Sequence, residues 1–153
     1  MLRQIYAPIV ERPLEIVVAD DDITDVFMLR EAFSAANIRC HVRHLKAGQD
    51  TIAFLEGLDW SFKSTLPGLI VLDQHLPDCK GIDVLRYIQS HPELSGIPVM
   101  LLSGVFREDE RRDAIKEGAR CFEKPFALNE WKELALTFQG FCSETEMASL
   151  AVA

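Results

Sequence analysis

GLIVLD, residues 68–73, is an apolar run of strand length whose last residue is an acid. A strand with one wet face alternates apolar and polar side chains. An unbroken apolar run is covered on both faces, as in a parallel sheet with helices above and below. Similar segments recur on either side. LEIVVA (14–19) is a β-branched run closed by three aspartates, IRCHVRHL (38–45) alternates roughly at period two, IPVMLL (97–102) is apolar, and RCFE (120–123) makes a brief last strand. Helical spacing fills the gaps: Val26, Phe27, Leu29, Phe33 and Ala36 with Asn37 at the end, a short helix from Gly48 and Asp50 through Leu55, IDVLRYIQ (82–89), the charged REDERRDAIKEGA (107–119), and a helix from about 128 to about 140. Five strands alternating with five helices predict an α/β, doubly wound parallel sheet, because parallel neighbours need crossover helices. Residues 57–67 read as irregular, residues 1–13 as an N-terminal extension, 14–140 as one domain, and 141–153 as a tail or helix extension.

Composition narrows the classes. The 153 residues, 48% hydrophobic, suffice for one full core. A formal charge of -8, with no basic run longer than Arg111-Arg112, argues against a nucleic-acid surface, which must neutralise phosphates. Cys40, Cys79, Cys121 and Cys142 lie far apart with no CxxC pair, against a zinc site or a disulfide scaffold. A reducing cytoplasm is the expected location. The N-terminal MLRQIYAPIVERP has charges and two prolines where a signal peptide needs an apolar stretch, and no segment reads as a membrane span.

Ligands of open α/β sheets bind outside the carboxyl ends of the strands. Asp20 and Asp21 follow the first predicted strand, Asp73 ends the third, Ser103 follows the fourth and Lys124 the fifth. Clustered carboxylates repel one another, so near neutral pH they bind protons or recruit a cation, and an all-oxygen set with few ligands suits Mg2+. A carboxylate can attack a phosphoryl donor when a metal and a fixed cation absorb charge on the transferring oxygens. Lys124 offers that cation. A hydroxyl at Ser103 can then donate to the phosphate and draw its loop inward.

The motifs VVADDD, LIVLDQHLPDCKG, PVMLLSG and EKPF together resemble the response-regulator receiver domains of two-component signalling, over about residues 14–140. The resemblance implies a flavodoxin-like five-stranded sheet of order 2-1-3-4-5, and a single receiver similar to the chemotaxis receivers. The irregular 57–67 stretch is similar to receivers that partner phytochrome-type kinases. It further implies Asp73 as phosphoacceptor and Mg2+ held by Asp21, Asp73 and the His75 backbone carbonyl, with Asp20 acting through water. Ser103 becomes the switch hydroxyl, Lys124 the phosphate-binding lysine with a cis bond to Pro125, and Phe122 the switch aromatic. Cys121 occupies the place three before the lysine where the family usually has Tyr or Phe, and Lys80 stands before Gly81 where it often has an acid or amide. The implied partners are a sensor histidine kinase or phosphotransfer protein, and a downstream protein or second copy at the face from the fourth to the fifth helix, with no nucleic acid and no membrane.

Each residue also has a plain structural reading. Asp20, Asp21 and Asp22 can form a solvated turn, with Asp22 as the N-cap of the first helix. Ser103-Gly104 and Lys124-Pro125 are common loop pairs; only their joint placement at neighbouring strand ends speaks for chemistry. The His75 ring is a poor Mg2+ ligand. His41, His44 and His91 lack partners at ligand spacing, and Trp60 and Trp131 suit core or loop anchors. The charged helix over 107–119 is first a solvated face.

Rival functions are a phosphatase of the haloacid-dehalogenase type using Asp73 as nucleophile, with His75 where that chemistry wants an acid, and a flavodoxin-like cofactor carrier, whose phosphate VVADDD would repel. A receiver cut from a DNA-binding regulator is a fourth reading. If neither Trp lies near the acids, Mg2+ will change intrinsic fluorescence little in a titration; a large quench or shift would contradict the placement of Trp60.

Overall fold

In the computed structural model, which describes residues 12–151 and side chains as far as Cys142, the sheet forms as its apolar runs require. The elements are β1 (Leu14–Ala19), α1 (Ile23–Ala35), β2 (Cys40–Leu45), α2 (Gly48–Glu56), β3 (Leu69–Asp73), α3 (Gly81–Gln89), β4 (Val99–Ser103), α4 (Glu108–Lys116), β5 (Arg120–Glu123) and α5 (Leu128–Ala151). The strands are parallel in the order β2-β1-β3-β4-β5. Of the N-terminal extension expected over 1–13, all but Arg12 and Pro13 lies outside the described residues. At the other end the helix runs on to Ala151. A single 3-10 turn, Lys63–Thr65, interrupts the irregular stretch before β3.

Alternation along the buried strands divides the core into two layers. Ile16, Val18, Leu69, Val71, Met100 and Leu102 face α1 and α5, meeting Leu29, Phe33, Trp131 and Phe138. Val17, Ala19, Ile70, Leu72, Val99 and Leu101 face the other way, toward Leu55, Leu85, Ile88 and Ala114. Fully burying each large apolar side chain contributes about 1.5–3 kcal/mol, so β3, buried along its whole length, anchors both layers at once. Asp22 caps α1, its carboxylate accepting the Thr24 N–H at 2.9 Å. Asn37, with φ of 57°, turns the chain out of that helix into β2.

Register positions the functional edge. Ala19 pairs with Leu72, Asp73 with Leu102 and Ser103 with Glu123, so the next residues of β1, β3, β4 and β5 emerge side by side at the carboxyl end. The strand order reverses between β1 and β3, where such folds bind ligands. After Asp73 the chain is held closely. Gln74 N–H donates to the Leu102 carbonyl at 2.8 Å, and the buried Gln74 side chain accepts the Ile82 N–H at 3.2 Å. Gly81 packs so near that an added Cβ would stand 2.5 Å from the Asp73 carbonyl oxygen and 2.8 Å from Leu101 Cδ1. Because one contact is backbone, Gly81→Ala is expected to destabilise the fold by about 1–3 kcal/mol in urea unfolding, the usual cost of overpacking. A loss below about 0.5 kcal/mol, the scatter of ordinary surface changes, would mean that the loop yields.

Candidate functional site

Four acids and one lysine meet at the carboxyl edge. Asp20 is 2% exposed and Asp73 6% exposed. Asp20 Oδ1 accepts the Asp22 N–H at 2.9 Å, and Asp73 Oδ1 accepts the His75 N–H at 3.0 Å. Their other oxygens face Lys124, whose Nζ donates to Asp20 Oδ2 at 3.0 Å, Asp73 Oδ2 at 3.1 Å and Asp25 Oδ2 at 2.7 Å. All three ammonium hydrogens thereby have an acceptor. Carboxylate oxygens of Asp20, Asp21 and Asp73 lie within 4.8 Å of one another. Asp21 is exposed and makes no ion pair among the described residues, which leaves it open to solvent or an ion.

Burial pushes the Asp20 carboxyl up to about 6, with the Asp73 charge adding to the rise against the pull of the Asp22 N–H and Lys124. For Lys124 burial favours loss of the proton, but hydrogen bonds to Asp25 and Asp20 and the Asp73 charge outweigh it, and the group is held above its ordinary range. Lys124 therefore stays cationic while its acids outnumber it. An all-oxygen set with surplus negative charge fits a hard divalent cation. These residues suit Mg2+ by donor chemistry.

Ser103, fully buried, donates from Oγ to the Val105 carbonyl at 2.8 Å, so its hydroxyl is turned into its own loop. The Lys124 N–H donates to the Ser103 carbonyl at 2.8 Å, tying the two strand ends together. The His75 side chain is exposed. The expected Asp20, Asp21, Asp73, Ser103 and Lys124 thus all come to one edge.

Two expectations need correction. The Lys124–Pro125 bond is trans, for no cis peptide occurs among the described residues. The trans isomer is favoured by about 0.5–1 kcal/mol for an X-Pro bond, and Lys124 reaches its acids without the other isomer. Phe122 cannot sense Ser103 directly. Strand alternation turns it to the opposite face, where it packs edge-on against Phe138 at 5.4 Å between ring centres. Ser103 shares its face with Leu101, and across the pairing with Cys121, which has no ring.

Two residues escaped the sequence reading. Asp25, the third carboxylate on Lys124, reads in sequence as an ordinary first-turn acid of α1. Phe106 is buried against the α3 and α4 layer, beneath the Arg111 guanidinium at 5.2 Å, and follows directly on the Val105 carbonyl that holds Ser103. A single apolar residue in a loop carries no periodic signal.

An acidic, cation-seeking pocket at the switch point of a 2-1-3-4-5 sheet, with a lysine reaching over it from the last strand, defines a receiver of the two-component type. Residues 16–135 match the response regulator receiver domain, and the chain belongs to that family. It is 32% identical over 134 residues to the response regulator Rcp1 of Synechocystis, covering 87% of this chain and 91% of that protein. The crystal structure of the phosphorylated cyanobacterial phytochrome response regulator RcpA superimposes with a TM-score of 0.75 at 26% identity, covering 88% of this chain and 96% of that one. The Mn2+-bound form of Rcp1 gives a TM-score of 0.71 at 26% identity, over 84% and 94% of the two chains. Receivers of this family are two-component signalling domains that bind Mg2+ or Mn2+ at an acidic pocket and meet histidine kinases or phosphotransfer proteins. No helix among the described residues is long and apolar enough to cross a membrane.

The raised Asp20 pKa has a sign that can be checked. If Asp20 takes part in cation binding, as the resemblance implies, the binding form is its carboxylate, which is present above about 6 and lost as pH falls through it. Mg2+ affinity by calorimetry is expected to level off above neutrality and to fall about tenfold per pH unit once well below the Asp20 pKa, as one linked proton requires. An affinity unchanged between about pH 5 and 7 would remove Asp20 from the cation site.

Proposed function

We propose that this chain is a phosphorylation switch in which Asp73 accepts a phosphoryl group from the phosphohistidine of a sensor kinase or phosphotransfer protein, altering a partner-binding face. The observation that carries this reading is the Lys124 ammonium hydrogen-bonded to Asp73, Asp20 and Asp25 beside the exposed Asp21. Mg2+ would be held by Asp21, Asp73 and the His75 carbonyl, with Asp20 acting through water, and would supply charge neutralisation on the transferring oxygens. An Asp73 carboxylate oxygen attacks phosphorus as the bond to the donor nitrogen breaks, the electron pair leaving with the imidazole. Lys124, already cationic, exchanges its Asp73 contact for a phosphoryl oxygen.

Readout begins at Ser103. Its hydroxyl gives up the Val105 carbonyl to donate to the phosphoryl group, which frees the loop that carries Phe106 and leads into α4. Exposed Val105 and Ile115 supply apolar surface on the α4 side for a downstream protein or a second copy. Near the acids, exposed Ile23 and Phe27 of α1 and Phe126, 99% exposed, offer apolar ground for a phosphodonor. Similarity to RcpA suggests a phytochrome-type kinase as that donor. The acidic balance and the four widely spaced cysteines fit work in a reducing cytoplasm, without nucleic acid. The chain acts as a switch in this reading, and any turnover of its own phosphate is incidental to signalling.

Acetyl phosphate with Mg2+ is expected to add one phosphoryl group to the wild type and none to Asp73→Asn, read by intact-mass spectrometry. Equal labelling of the two proteins would refute the assignment.

A further inference from the structure

Glu110 is a buried charge that the site does not use. It lies on α4, its side chain 9% exposed, with Oε2 accepting the Arg107 N–H at 3.3 Å. Its one ion pair among the described residues is with Lys80, whose Nζ stands 3.4 Å from Oε1. Lys80 belongs to another part of the fold, the loop that leaves the phosphoacceptor.

That loop is fixed at both limbs. His75 and Lys80 pair through their backbones, Gly81 N–H donates to the Gln74 carbonyl at 3.0 Å, and Gly81 rests on the Asp73 carbonyl. On the outer limb Asp78 accepts the Gly48 and Gln49 N–H groups at 2.7 and 2.8 Å, capping α2. Backbone hydrogen bonds from Gln49 and Gly48 hold its carboxyl below the ordinary range, a sign that the cap is well formed. Lys80 is thus attached to a rigid frame. In contrast α4 buries only Glu110 and Ala114 of its nine residues. Its other ion pairs to the body, Arg86 with Glu117 at 3.3 Å and Arg111 with Glu123 at 3.6 Å, join groups exposed enough for solvent to screen them. Lys80 is half exposed as well, but its partner is buried, and removing the partner of a buried carboxylate leaves a charge that solvent reaches poorly.

We propose that Lys80 and Glu110 form a clasp between the phosphoacceptor loop and α4, holding the helix in its unphosphorylated place and opposing the readout that starts at Ser103. Lys80 is a positioning residue, acting on the partner face through Glu110. The consequence for signalling rests on the phosphorylation reading above; the clasp itself does not.

Hydrogen exchange of peptides covering α4 tests it in the metal-free, unphosphorylated protein. Lys80→Met is expected to raise exchange there about fivefold, equivalent to ~1 kcal/mol, with β1 and β3 peptides unchanged. The double variant Lys80→Met, Glu110→Gln is expected to return to within about twofold of wild type, because the neutral amide keeps an acceptor for the Arg107 N–H while removing the stranded charge. Wild-type exchange in Lys80→Met, a rise spread evenly over the sheet, or additive effects in the double variant would each overturn the clasp. In a second arm with acetyl phosphate and Mg2+, Lys80→Met should take up one phosphoryl group as the wild type does, yet show a smaller further rise in α4 exchange, since the helix is already released. An equal further rise would also count against it. A wild type that takes up no phosphoryl group defeats the phosphorylation reading alone, and the first arm still decides the clasp.

Discussion

The Lys124 ammonium, drawn in among Asp20, Asp25 and Asp73, is the interaction around which the carboxyl edge is arranged. Two nearly buried carboxylates at the ends of adjacent strands would repel each other at a cost the apolar layers beneath would have to offset. One cation donating a hydrogen bond to each relieves that conflict. On the proposed reading it also marks where a phosphoryl oxygen would go, because the oxygens it holds now report the geometry of its donors. Burial favours loss of the Lys124 proton; its acids keep it charged, and it in turn opposes the rise that burial imposes on the Asp20 carboxyl.

The sheet makes this arrangement possible. A parallel sheet aligns all strand carboxyl ends on one side, and the pairing of Ala19 with Leu72 and of Ser103 with Glu123 fixes which residues emerge together. The central strands β3 and β4 contribute rigidity through complete burial on both faces, which limits the freedom of Asp73 and Ser103 at their ends. The connections differ from one another. The one after Asp73 is braced by Gln74, Gly81 and Asp78 through several hydrogen bonds, whereas the one after Ser103 rests on one serine hydroxyl, the buried Phe106 ring and the Arg107 N–H on Glu110. A charge added at Asp73 therefore finds one stiff neighbour and one that can yield.

Much of this was legible in the chain. GLIVLD and LEIVVA specify strands covered on both faces, and the acids at their ends point to the site, because period and run length report burial directly. The family motifs added strand order and roles. What stayed hidden depends on contacts that periodicity cannot express. Asp25 looks like any first-turn acid until Lys124 arrives from ninety-nine residues away. The resemblance implies Phe122 as the switch aromatic, but alternation on a four-residue strand decides which face it serves. Phe106 lies in a loop, where hydrophobicity has no rhythm. The Lys124–Pro125 bond is trans, an isomer that local sequence does not fix.

The shallow seat of α4 has an evolutionary consequence. A helix that commits only two of its nine positions to the interior leaves the rest open to substitution without endangering the fold. On the proposed reading, partner choice can then be rewritten along that surface by single changes, while the acids, the lysine and the hydroxyl remain as they are. Recognition and chemistry can drift independently, and lineages that share this pocket can diverge in whom they address.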